Sequence, residues 1–127
     1  MNGSLDIFRM AGAMARNAGA RQAMIASNVA NADTPGYSAR HLRPFSETYG
    51  DTANVTARVT RPGHVDAGAA PAGRSDPSDA EPSPDGNTVS IETEMLEAVR
   101  AQGEHTRALA IYRHALGVLR TSLGGGR

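Results

Sequence analysis

Two stretches of the chain carry a helical hydrophobic rhythm, and between them the rhythm stops. From Ser4 to Asn31 an alternating three-and-four spacing picks out Phe8, Ala11, Ala15, Ala18, Gln22, Ile25 and Val29. Such positions form one stripe along a helix of 3.6 residues per turn. Ser4 is placed to cap this helix, and Asp6 stands in its first turn, where the helix dipole favours negative charge. The stripe consists mostly of small side chains, with one polar member, Gln22. Gly12 and Gly19, seven apart, fall on nearly the same face. Each glycine lowers helix stability by about 1 kcal/mol relative to alanine. That loss predicts a close backbone approach by a packing partner in return.

From Ser90 to Leu123 the rhythm is cleaner. Ile91, Met95, Ala98, Gln102, His105, Leu109, Tyr112, Leu116, Leu119 and Leu123 follow an unbroken four-three alternation. Ser90 can cap the helix, with Glu92 and Glu94 in the first turn. Arg113 and Arg120 lie toward its C-terminal end, and Gly124, Gly125 and Gly126 stop it. Glu92, Glu94 and Glu97 read as first-turn and solvated-face acids. At 1.5 Å per residue the two helices would be roughly 40 Å and 50 Å long. Both stripes have a soft polar centre, Gln22 in one and Gln102 with His105 in the other, so packing together they would resemble a two-stranded coiled coil, parallel or antiparallel. Burying an alanine methyl contributes far less than the roughly 1.5–3 kcal/mol of a large aliphatic side chain. An alanine-rich pair is therefore marginal alone, and other chains are expected to supply contacts.

The middle of the chain changes composition sharply. Pro62, Pro71, Pro77, Pro82 and Pro84 stand among many Gly, Ala, Ser and Asp residues. From Asp66 to Asp85 there is almost no large apolar side chain to offset the entropy of ordering. A short strand at Asn54–Thr60 is suggested by alternating Val55, Ala57 and Val59. The predicted organisation is an N-terminal helix over residues 1–32 and an exit turn and loop over 33–49. A disordered or loosely extended linker follows over 50–87, then a C-terminal helix over 88–127. The fold class is mainly α: two long terminal helices in coiled-coil-like packing, joined by a largely disordered, Pro/Gly/Asp-rich middle.

Composition narrows the function. With 127 residues there is room for one domain at most, and the aromatics are only Phe8, Tyr37, Phe45, Tyr49 and Tyr112. Net charge is zero, which argues against binding nucleic acid, where surplus cations must meet phosphates. No cysteine is present, so disulfides and thiolate metal sites are excluded. Arg9, Arg16 and Arg21 interrupt the first 24 residues, which therefore do not read as a secretory signal, and no segment approaches the roughly 20 apolar residues of a membrane span. By these signals the chain reads as cytoplasmic.

Candidate chemistry is thin. His41 and His64 fall in predicted loops, while His105 and His114 are nine apart and lack the i, i+4 spacing of a helical ligand pair. Ser27, Ser38 and Ser46 have no nucleophile-elbow context, and no glycine-rich loop follows a strand. Asn54-Val55-Thr56 matches a glycosylation acceptor without supporting context. No catalytic, metal or cofactor-binding residue is assigned, no cofactor is expected, and no small-molecule substrate is implied.

The segment ASNVANADTPGYSAR, Ala26 to Arg40, stands apart. Asn28 and Asn31, three apart, project from one side at the end of the helix. Thr34 precedes Pro35, which disfavours helical geometry and turns the chain out. Pro35-Gly36 fits the central positions of a type II turn, where glycine adopts positive φ without strain. Physical chemistry reads this as an elaborate helix stop ending at Tyr37.

The same residues resemble the N-terminal signature of the flagellar rod and hook protein family, the axial proteins with ANxANxxTxGY-type motifs. A second stretch, PSPDGNTVSIETEM from Pro82 to Met95, is similar to the approach to the C-terminal helix in the proximal-rod members of that family. The two matches cover about 30 residues and flank the linker. The resemblance implies a structural, non-enzymatic axial subunit that folds on assembly and transmits torque. Its assembly seam would be Phe8, Ala11, Ala15, Ala18, Ile25 and Val29 with Ile91, Met95, Leu109, Tyr112, Leu116, Leu119 and Leu123. Asn28, Asn31, Thr34, Pro35, Gly36 and Tyr37 would form the exit turn. Partners implied are other copies of the chain, other rod proteins, the adaptor FliE, and membrane-ring and export-gate components at the rod base. Export through the flagellar type III pathway, without a cleaved signal peptide, would place it in the periplasmic rod and replaces the cytoplasmic reading. Ser38 departs from the lysine or arginine that often follows the motif tyrosine. The alternatives are another axial subunit of the same family, disfavoured by the DGNTV stretch, or a soluble helical adaptor or chaperone-like module. The latter would fold stably at any dilution.

Overall fold

The structure, a computed structural model, describes residues 2–52 and 75–124. Its elements are α1 (Asn2–Ala30), β1 (Arg40–Leu42), α2 (Phe45–Thr52), β2 (Ser75–Pro77) and α3 (Ile91–Gly124). The two long helices pack on each other along their lengths in antiparallel sense. Phe8 near the start of α1 meets Tyr112 near the end of α3, edge to face, with ring centroids 5.1 Å apart. Gln22 Nε2 donates to Gln102 Oε1 at 2.6 Å, so the soft centres of the two stripes do face each other. α1 begins at Asn2, which puts Ser4 inside the first turn rather than at the cap.

The core between the helices is built from small side chains. Ala11, Ala18 and Ile25 of α1 are buried against Ala101 and Ala108 of α3, and Ala39 closes one end. Alanine contacts let the backbones approach closely, and that closeness decides which face of α3 turns inward. The buried face carries Glu94, Ala101 and Ala108, with Glu97, Ala98, Glu104 and His105 half-buried beside them. It lies about one position from the apolar row that the spacing picked out. Ile91, Met95, Leu109, Tyr112, Leu116 and Leu123 remain exposed, and Leu119 is half-buried. On α1, Phe8 and Ala15 are half-buried, whereas Val29 is 44 % exposed.

Ion pairing pulls α3 into this rotation. Arg21 of α1 is 3 % exposed, and its guanidinium lies 2.8 Å from Glu97 Oε2 and 2.8 Å from Glu104 Oε2. A cation so far out of water needs carboxylates beside it. Glu97 and Glu104 therefore stand at the interface, and the bulky apolar residues turn aside.

The close approach predicted at Gly12 and Gly19 does not occur among the described residues. A Cβ at Gly19 would meet nothing within 4 Å, and one at Gly12 only the Arg16 guanidinium at 3.4 Å. Gly19→Ala is therefore expected to stabilise the isolated chain by about 0.5–1 kcal/mol, through higher helix propensity and a less flexible unfolded state. A lowered urea midpoint for that variant would show that something else presses on the site.

The connections contain more structure than composition suggests. β1 and the start of α2 occupy what reads as a loop, and Phe45 and Tyr49 of α2 meet at a tilt of 48° with ring centroids 5.2 Å apart. Residues 75–87 are anchored: β2 pairs antiparallel with β1 in the register Arg40↔Pro77, His41↔Asp76 and Leu42↔Ser75. Ser78 N–H adds a bond to Ala39 C=O at 2.8 Å, and Arg43 Nε pairs with Asp76 Oδ2 at 2.6 Å. Backbone and charge thus hold a segment whose side chains have no core to fill. The strand suggested at 54–60 lies outside the described residues. Among those residues, no helix is long and apolar enough to cross a membrane.

Candidate functional site

The exit turn of α1 and the approach to α3, more than 40 residues apart in sequence, dock against each other as a clasp. Gly36 has φ +71°, as the Pro35-Gly36 turn requires, and Tyr37 N–H closes that turn onto Thr34 C=O at 3.3 Å. Gly86 has φ +81°, and a Cβ there would lie 3.4 Å from the Gly36 Cα. Two segments of the backbone thus meet where each needs glycine for its positive φ. Gly36 N–H donates to Asp85 C=O at 2.9 Å and Thr88 N–H to Tyr37 C=O at 3.0 Å, while Ala39 N–H donates to Thr88 Oγ1 at 2.8 Å.

Asn87 fastens the clasp. It is 3 % exposed, and its Nδ2 amide reaches the carbonyls of Asn31, Ala32 and Thr34 at 2.9, 2.9 and 2.8 Å. Two hydrogens shared among three carbonyls leave that side of the α1 exit satisfied. The Asn87 Oδ1 accepts from Val89 N–H at 2.7 Å, which sets the backbone just ahead of α3.

Asn28 does the same from the other side. Fully buried, it donates through Nδ2 to Arg40 C=O at 2.8 Å and to Glu94 Oε2 at 3.2 Å. Its Oδ1 accepts from Tyr37 Oη and from Arg40 N–H, both at 3.3 Å. One side chain therefore ties α1, the exit segment, β1 and α3 together. Glu94, 1 % exposed, completes the knot with Oε1 at 2.8 Å from His41 Nε2. This corrects the expectation of a solvated first-turn acid. It also takes His41 out of a loop and places it on β1 against a carboxylate.

The remaining motif residues play local parts. Asn31 Nδ2 bonds back to Ser27 C=O at 2.8 Å, and Thr34 Oγ1 donates to Asn31 Oδ1 at 3.2 Å. Pro35 is exposed at the turn. The sequence singled out Asn28, Asn31, Thr34, Pro35, Gly36 and Tyr37, and the structure brings them to one end of the hairpin. Asn87, Glu94, Arg21 and His41 were missed. For Asn87 the signal was present, since it sits in the DGNTV stretch. For the others a polar residue in a helix or loop looks the same in sequence whether buried or solvated.

The site holds two elements in fixed relation and offers little else chemically. Every clasp donor and acceptor described above is engaged within the chain. Among the described residues no group of three His, Cys, Asp or Glu could hold a metal. The hairpin has two unlike sides. One is polar, covered in part by β1, β2 and Pro44, and lined by Arg21, Glu97, Arg100 and Glu104. The other is largely apolar and, among the described residues, uncovered: Ile25, Ala26 and Val29 of α1 and Ala98 and Val99 of α3, with Gln22 and Gln102, line an open cleft of about 740 Å³.

Comparison with known proteins accords with this geometry. Residues 10–37, most of α1 and its exit turn, match the model of the family described as flagella basal body rod protein. The flagellar basal body rod protein FlgB of Cereibacter sphaeroides is 33 % identical over 108 residues, spanning 83 % of this chain and 84 % of that protein. FlgB of Salmonella typhimurium is 31 % identical over 118 residues, covering 84 % of each. With a curated relative this similar over most of both chains, the chain belongs to the flagellar basal body rod protein family, a structural family and not an enzymatic one.

Proposed function

We propose that the chain is an FlgB-like subunit of the proximal rod, which joins its neighbours through the apolar row that α3 leaves open. The observation that carries this reading is an inversion of the usual helical pair. Alanines fill the inside, while Met95 and Leu123 are 65 % and 84 % exposed and Ile91, Leu109, Tyr112 and Leu116 lie along the same helix. An exposed apolar surface of this extent is a contact surface awaiting an occupant. The clasp sets the angle at which the two helices present it. An alanine core contributes little per residue, which supports folding that is completed on assembly and helices that carry load only when neighbours brace them. Torque transmission belongs to this reading. So do FliE and the ring and export-gate components as partners at the rod base, periplasmic placement, and type III export without a cleaved signal.

The test is the double variant Leu109→Asp/Leu116→Asp in cells lacking the native protein. Both residues are exposed, so the hairpin keeps its fold while two charges enter any interface. The expected result is secretion at normal levels, no incorporation into purified basal bodies and no motility. Normal swimming would remove the row from the assembly surface.

A further inference from the structure

The hairpin is electrically polarised along its axis. Among the described residues, the free end (2–20 and 105–124) carries five arginines against one acid, Asp6. The clasp end (21–52 and 75–104) carries four arginines against eleven acids. The ends thus differ in sign, about +4 against −7, although the whole chain is neutral. From residue 105 to the end of α3 there is no acidic residue at all.

Two surfaces lie at these opposite ends. At the free end, Leu109, Arg113, Leu116 and Arg120 follow four-three spacing on α3, and all are exposed. They make a row of alternating leucine and arginine on one face. At the clasp end lies the open cleft walled by Ala26, Val29, Ala98 and Val99. Its walls are short and apolar, and it sits in the acidic half. A leucine row fits such a cleft, and the net negative charge of that end attracts the arginines of the row. Two copies of the row facing each other in register would oppose arginine to arginine.

We propose that the clasp-end cleft is the docking groove for the Leu109–Arg120 face of α3 from a second copy of this chain. The proposal rests on the rod reading and deepens it by naming which surface meets which. The contact joins two different patches, so each copy keeps one groove and one row to offer. Opposite charge guides the ends together, and salt weakens the association.

Sedimentation of the full chain at low salt tests this with two complementary variants. The row variant is Leu109→Asp/Leu116→Asp, and the groove variant is Ala26→Arg/Val99→Arg. Both groove positions are exposed, Val99 at 71 %, and arginine is a good helix former. Circular dichroism checks the fold, and Val99→Arg alone replaces the double change if helix is lost. Each variant alone is expected to lose self-association by roughly tenfold or more, a loss of about 1.4 kcal/mol or greater. Mixed, they are expected to form a one-to-one pair, because the row variant's groove is intact and so is the groove variant's row. A wild-type chain that stays monomeric, a groove variant that associates like wild type, or a mixture without pairing overturns the proposal. A groove variant that still builds normal rods in cells would remove this groove while leaving the rod reading intact.

Discussion

Replacing Asn28 with alanine is expected to lower the stability of the chain by about 3 kcal/mol, which for a hairpin with an alanine core amounts to unfolding. The side chain is fully buried and takes part in four hydrogen bonds that reach α3, Tyr37 and both backbone groups of Arg40. A buried polar group stripped of its partner costs about 1–3 kcal/mol, more when it is charged. The variant would strip several at once: the Arg40 amide and carbonyl, and one oxygen of Glu94. Among the described residues, Glu94 would keep only His41 as a side-chain partner, in a place where water does not reach. Asn28→Asp should be worse, because it removes the amide donor and sets a second carboxylate beside Glu94, 3.2 Å away in the present geometry. Urea unfolding followed by circular dichroism decides the matter. A midpoint within error of wild type would mean that the knot adds nothing net and that the helices alone hold the hairpin.

Asn87→Ala is expected to cost about 2–4 kcal/mol, and its effect should be local before it is global. The three carbonyls at the α1 exit lose their shared donor, and the Val89 amide loses its acceptor. The clasp then depends on the backbone bonds from Gly36 to Asp85 and from Thr88 to Tyr37. Hydrogen exchange at those two amides should accelerate by a larger factor than exchange in the middle of α1 or α3. Uniform acceleration across both helices would show instead that clasp and hairpin open as one unit. No change at either amide would mean that Asn87 is a passenger in the turn.

The two predictions concern residues of unequal legibility. Asn28 was visible as part of a helix-stop signature, and its place on one side of α1 with Asn31 follows from their spacing. That it faces Glu94 was not visible, because the first turn of α3 has a good local reason to carry an acid whichever way it points. Asn87 stood within a recognised stretch, yet sequence alone reads it as a turn residue. Its three carbonyl partners belong to a segment more than 50 positions earlier. Arg21 was read only as an interruption of an apolar run, whereas the fold buries it between two glutamates.

What the sequence by itself determined is whatever follows from local rules: two long helices, an exit turn at Pro35-Gly36 and a middle poor in apolar side chains. Helical period, proline and glycine act within a few residues of where they stand, so one chain suffices to read them. The tertiary structure alone decided that the helices run antiparallel and that the two motifs close on each other. It also decided that α3 turns Glu94, Ala101 and Ala108 inward while leaving Leu109 and Leu116 outside. Periodicity identifies the most apolar stripe of a helix but not which stripe its partner covers. Here close alanine contact and a buried arginine outweighed hydrophobicity, and the stripe that looked like the core became the surface.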